Sequence, residues 1–195
     1  MQRLKEVQKL GQSIWLDFIN RSLIKSGKLK ALIDEGLAGI TTNPTIFQKA
    51  IAQGADYDEP IRAILKSNPN ATAKDLYDRL TTEDIQMAAD MFHPVYDASG
   101  GIDGMVSLEA SPHLAYDTRA TIAEVERLCQ SANRPNVMIK VPATPEGIPA
   151  IEELIARGIN INITLMFSLS HYEAVSRAYL NGAARTANPG RITSV

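Results

Sequence analysis

The 195-residue sequence has a single cysteine and no long apolar run. One cysteine excludes a disulfide framework within the chain and is typical of a reducing compartment. The N-terminal stretch MQRLKEVQKLGQSIW has no continuous apolar segment of signal-peptide length. No segment approaches the roughly 18 apolar residues that a membrane span needs. The sequence therefore predicts a cytoplasmic protein that has no membrane partner.

An excess of charge of either sign is also absent. Twenty Lys and Arg stand against 22 Asp and Glu, which gives a formal charge of −2. Without a basic excess to neutralise a phosphate backbone, nucleic acid is not a predicted partner. Neither GxxxxGK[ST] nor GxGxxG occurs, so no nucleotide site is predicted. The 3 histidines lack partners at metal-ligand spacing, so we predict no metal.

Short apolar runs alternate along the chain with longer segments of helical periodicity. The runs are rich in β-branched residues and too short for ordinary helices, so we predict five strands. They are Ser13–Ile19, Leu37–Asn43, Gly104–Ser111, Asn136–Ala143 and Ile159–Ser168. This alternation predicts an α/β fold with a parallel sheet, either doubly wound or closed as a barrel. The segment Gly54–Gly101 predicts a helical insertion between the second and third strands.

Residues that favour helix N-termini mark several of the connecting segments. Asp117 is placed to cap the helix that follows it. Thr81 with Asp84, and Ser170 with Glu173, have the spacing of a capping box or its Asp variant. We therefore predict helix starts at all three places.

The predicted strands carry polar residues on one face, towards their C-terminal ends. The third strand, for example, opposes Val106 and Leu108 to Ser107 and Glu109. A doubly wound sheet gives no reason for this pattern, because helices cover both of its faces. A (β/α)₈ barrel does, because one strand face meets the lumen and active sites gather at the C-terminal strand ends. We predict a TIM-type barrel in which these side chains converge: Asp17, Asn43, Glu109, Lys140 and Thr164.

Lys140 lies within the aliphatic run VMIKVPA. The structural alternative is a lysine whose amine extends to water from a strand end. Removal from water, however, enlarges the neutral fraction that can attack a carbonyl, and we favour a Schiff-base lysine. Asp17 and Glu109 either offset the charge of Lys140 or move protons to and from oxygen. Trp15 shares strand parity with Asp17 and is equally consistent with lining the site or filling the core.

Five segments that contain these residues resemble the transaldolases, Schiff-base enzymes of the pentose phosphate pathway. They are SIWLDFINR, GITTNPTIF, VSLEASPHLAYDT, MIKVPAT and INITLMFS. The segments occur in the family's order and cover most of the chain. The resemblance implies transfer of a dihydroxyacetone unit from a ketose phosphate, sedoheptulose 7-phosphate or fructose 6-phosphate, to an aldose phosphate. It also implies sugar phosphates as partners and a transferase that needs no cofactor.

The resemblance implies a role for each matching residue. Lys140 matches the lysine that forms the Schiff base, and Asp17 matches the acid/base carboxylate that handles the proton of the C4 hydroxyl. Glu109 matches the carboxylate that acts through a water, which Thr164 helps to hold. The positions matching those that contact the dihydroxyacetone part are Thr41, Asn43 and Asn162.

Two alternatives to the transferase remain open. Some relatives act as fructose 6-phosphate aldolases and usually lack a carboxylate at the position of Glu109, so its presence favours the transferase. The other alternative is an inactive fragment that acts only as an association module. Unpaired sheet edges and exposed apolar surface would favour such self-association.

The C-terminal end departs from the family pattern. A complete barrel takes about 250 residues. The segment Pro189–Val195 looks like the beginning of a sixth strand, and the family's phosphate-binding serine and arginine have no match. Ser194 lies too early for the serine, while ordinary surface positions explain Arg185 and Arg191. We therefore expect residues 1–195 to form a single, C-terminally truncated barrel domain of about five strands.

Overall fold

The structure is a computed structural model that describes residues 3–187. Its strands are β1 (Trp15–Asp17), β2 (Gly39–Thr41), β3 (Met105–Glu109), β4 (Val137–Pro142) and β5 (Ile161–Thr164). Within the described residues these five parallel strands form one open sheet in the order β1-β2-β3-β4-β5. The predicted α/β class with five barrel-type strands is confirmed. The predicted start of a sixth strand, 189–195, lies outside the described residues.

The chain divides into two compact units, of which the first ends at Val106 and the second begins at Ser107. The single-domain organisation expected from the sequence stays a prediction. Helices of the first unit are α1 (Arg3–Gln8), α2 (Arg21–Lys25), α3 (Lys28–Glu35), α4 (Pro44–Gln53), α5 (Asp58–Ser67) and α6 (Ala73–Ala98). Of these, α5 and α6 lie within Gly54–Gly101, between β2 and β3, which confirms the predicted helical insertion, whereas α4 precedes it.

The helix start predicted at Thr81 is wrong, because Thr81 and Asp84 both lie inside α6. The helix begins after Thr72, whose hydroxyl accepts a hydrogen bond from the Asp75 N–H at 3.2 Å. The Asp75 carboxylate in turn accepts from the Thr72 N–H at 2.8 Å, which completes a capping box. The two sites have the same residue types at the same spacing. They differ in burial, since Asp84 is fully buried and Asp75 is exposed.

The second unit contains α7 (Thr118–Ala132), α8 (Gly147–Ala156) and α9 (Leu169–Arg185). Asp117 caps α7 as predicted, since its carboxylate accepts from the Ala120 N–H at 2.9 Å. The buried residues of α7 fall on one helical face at the spacing of an amphipathic helix. They are Thr121, Val125, Leu128 and Ala132.

The capping box predicted at Ser170 is wrong, and so is the predicted length of the fifth strand. Leu165 has a φ of +58°, which no β-strand tolerates, so β5 ends at Thr164 rather than at Ser168. The chain therefore turns earlier, and Ser168 becomes the N-cap of α9. Its hydroxyl accepts from the His171 N–H at 3.2 Å.

Close contact and ion pairs join α8 to α9. A Cβ atom at Gly182 would lie 2.5 Å from the Glu152 carbonyl oxygen, so only glycine permits this approach. Around the contact, Arg185 donates to Glu153 at 2.7 Å, and Arg157 donates to Glu153 at 2.9 Å. Arg157 also pairs with Glu126 of α7. Within residues 3–187 no helix is both long and apolar enough to cross a membrane.

Candidate active site

In the first unit, Asp17 and Thr41 lie side by side at the C-terminal ends of β1 and β2. The two residues are partners in the parallel register, so their side chains share one face of the pair. Asp17 is exposed and Thr41 is half-buried. Among the described residues nothing hydrogen-bonds the buried Thr41 Oγ1. Because buried hydroxyls are normally paired, this oxygen is suited to a hydroxyl group of a ligand.

Trp15 lies on the same face, two residues before Asp17. A Cβ atom at Gly39, its register partner, would lie 2.5 Å from Cε2 of the indole. The indole therefore covers the side-chain face of Gly39, and only glycine leaves room for it there. Of the two interpretations of Trp15, this contact favours packing beneath Asp17 and Thr41.

Asn43 follows β2 and is the N-cap of α4. Its backbone is extended, with φ −150° and ψ 166°, and Pro44 occupies the first turn of the helix. The side-chain Oδ1 accepts a hydrogen bond from the Ile46 N–H at 2.9 Å. Because the cap uses Oδ1, the side chain offers its amide N–H groups to a ligand.

In the second unit, Lys140 lies between two polar neighbours on adjacent strands. Asn162 is its partner in the parallel register of β4 and β5. On the other side, the Ala110 N–H donates to the Lys140 carbonyl at 3.3 Å, which places Glu109 of β3 beside Lys140. Glu109, Lys140 and Asn162 are all half-buried. Thr164, also half-buried, is the register partner of Pro142 at the strand ends.

Ser107 is a residue of this face that the sequence analysis left without a role. It is fully buried, and its Oγ accepts a hydrogen bond from Nδ2 of Asn162 at 3.1 Å. Strands two apart in a flat sheet lie about 9.5 Å apart, further than these side chains reach. The sheet of this unit therefore curves towards the face that carries Lys140. The signal was present in the sequence, since Ser107 precedes Glu109 by two positions and shares its parity.

The predicted residues thus fall into two groups. The structure brings Asp17 together with Thr41 in the first unit, and Glu109 together with Lys140 and Asn162 in the second. In the part of the chain that the structure describes, no three His, Cys, Asp or Glu side chains converge as metal ligands. The absence of a metal and of a cofactor from the reaction stays a prediction.

Comparison with known proteins finds relatives that match almost the whole length of this chain. The family model described as transaldolase/fructose-6-phosphate aldolase matches residues 14–194. A transaldolase of Trichodesmium erythraeum is 45% identical over 96% of this chain and 49% of its own length. Transaldolase 1 of Streptomyces avermitilis is 47% identical over 97% of this chain and 50% of its own. The chain spans about half the length of the curated relatives it matches, and it belongs to the transaldolase/fructose-6-phosphate aldolase family.

Proposed function

We propose that this protein is a transaldolase, a transferase that moves a dihydroxyacetone unit between sugar phosphates through a Schiff base on Lys140. Family membership and the names of the matching relatives support the reaction class. The observation that carries the proposal is the position of Lys140. It is a half-buried amine on the polar face of β4, with Glu109 and Asn162 as its strand neighbours.

The first step forms the covalent intermediate. The neutral amine of Lys140 attacks C2 of the ketose phosphate, and the resulting carbinolamine loses its oxygen as water. Glu109, acting through a water held with Thr164, supplies and removes the protons of this dehydration. The product is an iminium ion, whose positive nitrogen accepts electrons from the neighbouring C3–C4 bond.

The second step breaks that bond. Asp17 takes the proton of the C4 hydroxyl, the C4–O bond becomes a carbonyl, and the electron pair of C3–C4 passes into an enamine. The shortened aldose phosphate leaves, and the acceptor's aldehyde carbon is then attacked by the enamine carbon. Asp17 returns its proton to the new hydroxyl, and water hydrolyses the iminium to free Lys140.

The remaining polar residues are proposed to hold the three-carbon unit. Thr41 and Asn43 offer a hydroxyl oxygen without a described partner and an amide N–H group. Asn162 is orientated by its hydrogen bond to Ser107, which directs its amide N–H towards the protein. Its Oδ1 is therefore the atom we expect to accept from a substrate hydroxyl.

Borohydride trapping tests the covalent chemistry. Incubation with fructose 6-phosphate and borohydride is expected to add one reduced sugar fragment to the protein, located by peptide mass analysis at Lys140. Lys140→Ala should give no adduct, whereas the matched control Lys30→Ala, at an exposed position of α3, should label normally. Failure of the wild type to label, or labelling of Lys140→Ala, contradicts the proposal.

The description of the family also includes fructose-6-phosphate aldolase, so product analysis must separate the two activities. Addition of erythrose 4-phosphate to the reaction should yield sedoheptulose 7-phosphate from a transferase. An aldolase would instead release free dihydroxyacetone, with little effect of the added acceptor. The carboxylate of Glu109 supports the transferase.

The cytoplasm is the compartment we propose for this activity, in keeping with the single cysteine. Self-association also stays a prediction. It is supported by large apolar side chains after β5, of which Phe167 is 85% and Leu169 82% exposed. Sedimentation over a range of protein concentrations measures it, and a concentration-independent monomer would contradict it.

A further inference from the structure

A closed network of buried polar groups lies in the first unit, outside the residues given a catalytic role. It consists of Arg21, Tyr57 and Asp84, which are 3%, 1% and 0% exposed and are called the Arg21 cluster below. The Arg21 Nε–H donates to Asp84 Oδ1 at 2.7 Å. The Tyr57 hydroxyl donates to Asp84 Oδ2 at 2.6 Å and accepts from the Arg21 backbone N–H at 3.2 Å.

Further contacts fix the guanidinium of Arg21. It lies over the Tyr57 ring, 5.0 Å from the centroid, and donates to the Leu80 carbonyl at 3.4 Å and to Glu83 at 3.2 Å. Burial alone lowers the pKa of Arg21, but the attraction and hydrogen bonds of Asp84 and Glu83 outweigh it and raise that pKa. The guanidinium is therefore held as a cation in a position closed to water.

Such a cluster is a poor source of net stability. Removing two charges from water is energetically costly, and well-packed apolar residues of similar volume often stabilise a fold as well or better. What a satisfied buried network provides is a single arrangement of the groups that it joins.

The Arg21 cluster fixes the chain segment that directly follows Asp17. Only three residues separate Asp17 from Arg21, which is the first residue of α2. Of these, Ile19 is fully buried, and Asn20 is the N-cap, accepting from the Leu23 N–H at 2.7 Å. The N–H bonded to Tyr57 belongs to the first turn of α2, where the helix itself supplies no acceptor. Side chains of the helical insertion thus fix the backbone that follows Asp17, while Asp17 itself is exposed.

We propose that Arg21, Tyr57 and Asp84 are positioning residues that hold the Asp17 carboxylate where it exchanges its proton with the C4 hydroxyl. This inference rests on the proposed function. The cluster acts through the backbone between Asp17 and Arg21 and touches no substrate. Its loss therefore slows carbon–carbon bond cleavage, while formation of the Schiff base on Lys140 continues.

The test compares Tyr57→Phe with the wild-type protein in turnover and in borohydride trapping. The substitution keeps the ring and removes the hydroxyl that accepts from Arg21 and donates to Asp84. We expect kcat to fall about tenfold with KM within twofold, as expected for a lost transition-state contribution. In mass analysis of the trapped protein, the share of the three-carbon adduct should fall and that of the uncleaved hexose phosphate adduct should rise.

A second background and a matched control make the result specific. In Asp17→Asn, adding Tyr57→Phe should lower kcat less than twofold further, because both changes act on one step. Ile64→Val, a buried apolar change beside Tyr57, should lower thermal stability and leave the adduct ratio unchanged. If Tyr57→Phe folds poorly, Asp84→Asn provides the same comparison.

Three outcomes overturn the inference. The first is a Tyr57→Phe variant whose kcat and adduct ratio equal those of the wild type. The second is that Tyr57→Phe lowers kcat by the same factor in the wild-type and Asp17→Asn backgrounds. The third is a parallel loss of Schiff-base formation and cleavage, the result expected of a merely structural role. A wild-type protein that forms no adduct overturns the proposed function, and that result is seen before any variant is made.

Discussion

Lys140 and Asn162 occupy the same register position on β4 and β5, and the Asn162 amide is turned by a hydrogen bond to the buried Ser107 on β3. A hydrogen bond between β3 and β5 passes across the strand that carries the lysine. It therefore indicates that this face is curved, and it orients the polar side chain that is the register partner of Lys140.

Asn162→Ala should lower the free energy of unfolding by about 1 kcal/mol, because the buried Ser107 hydroxyl loses a donor. Urea titration measures the change. Ser107→Ala should cost a similar amount, and the double variant should cost clearly less than the sum of the two. Fully additive losses would show that this hydrogen bond contributes nothing to stability.

Gly39→Ala should destabilise the first unit by about 1–3 kcal/mol, the range found for overpacked cores. The added methyl group would lie 2.5 Å from Cε2 of Trp15 and 2.9 Å from the Met105 carbonyl oxygen. Trp15→Leu should recover part of the loss in the double variant, since the carbonyl contact remains. An unchanged midpoint in thermal unfolding of Gly39→Ala would contradict the described packing of Trp15.

The ion pairs of Glu153 should make the free energy of unfolding fall in acid. Hydrogen bonds from Arg185 and Arg157 lower its pKa below the ordinary 4.5. The ionised form is thus favoured by folding, so its contribution is present above pH 4.5 and disappears as the pH falls through the lowered pKa. Glu153→Gln should weaken the dependence of the unfolding free energy on pH below pH 4.5, and high salt should have a similar effect on the wild type. An identical acid profile in the variant would refute the assignment.

The thiol of Cys129 should react slowly in the folded protein. Burial, with a smaller contribution from Glu126, raises its pKa to about 11. At pH 8 the thiolate fraction is then about 100-fold smaller than for an exposed cysteine, and alkylation should slow accordingly relative to the urea-unfolded chain. Because the folded pKa is the higher one, this group's contribution to stability is lost as the pH rises from about 9 towards 11. Cys129 is half-buried, and equal alkylation rates in both states would contradict the raised pKa of its thiol.

The strands and their polar face follow from the sequence because both depend on local alternation. A residue's parity decides its face, so the sequence alone identifies Glu109, Lys140 and Asn162 as neighbours on one face. Ser107 had the same signal, but a serine on a strand carries no distinctive chemistry without a known partner. Strand lengths are harder to predict from the sequence. The positive φ of Leu165 ends β5, and nothing in an apolar run marks such a residue.

The Arg21 cluster lay beyond what the sequence shows. The spacing of Thr81 and Asp84 predicts a capping box, and the real capping box at Thr72 and Asp75 has the same pattern, so sequence alone does not reveal the buried role of Asp84. Its true partner, Arg21, is 63 positions away. Local rules hold no information about a pairing at that separation, and only the packing of α2 against α6 creates it.

That separation also sets an order of events during synthesis. Arg21 leaves the ribosome 63 residues ahead of Asp84, an interval of roughly 3 to 13 s at about 5–20 residues per second. Throughout that interval the guanidinium lacks the Asp84 carboxylate that offsets the cost of its burial. The nascent chain therefore acquires its final geometry around Asp17 only once α6 has been synthesised as far as Asp84, nearly halfway along its 26 residues.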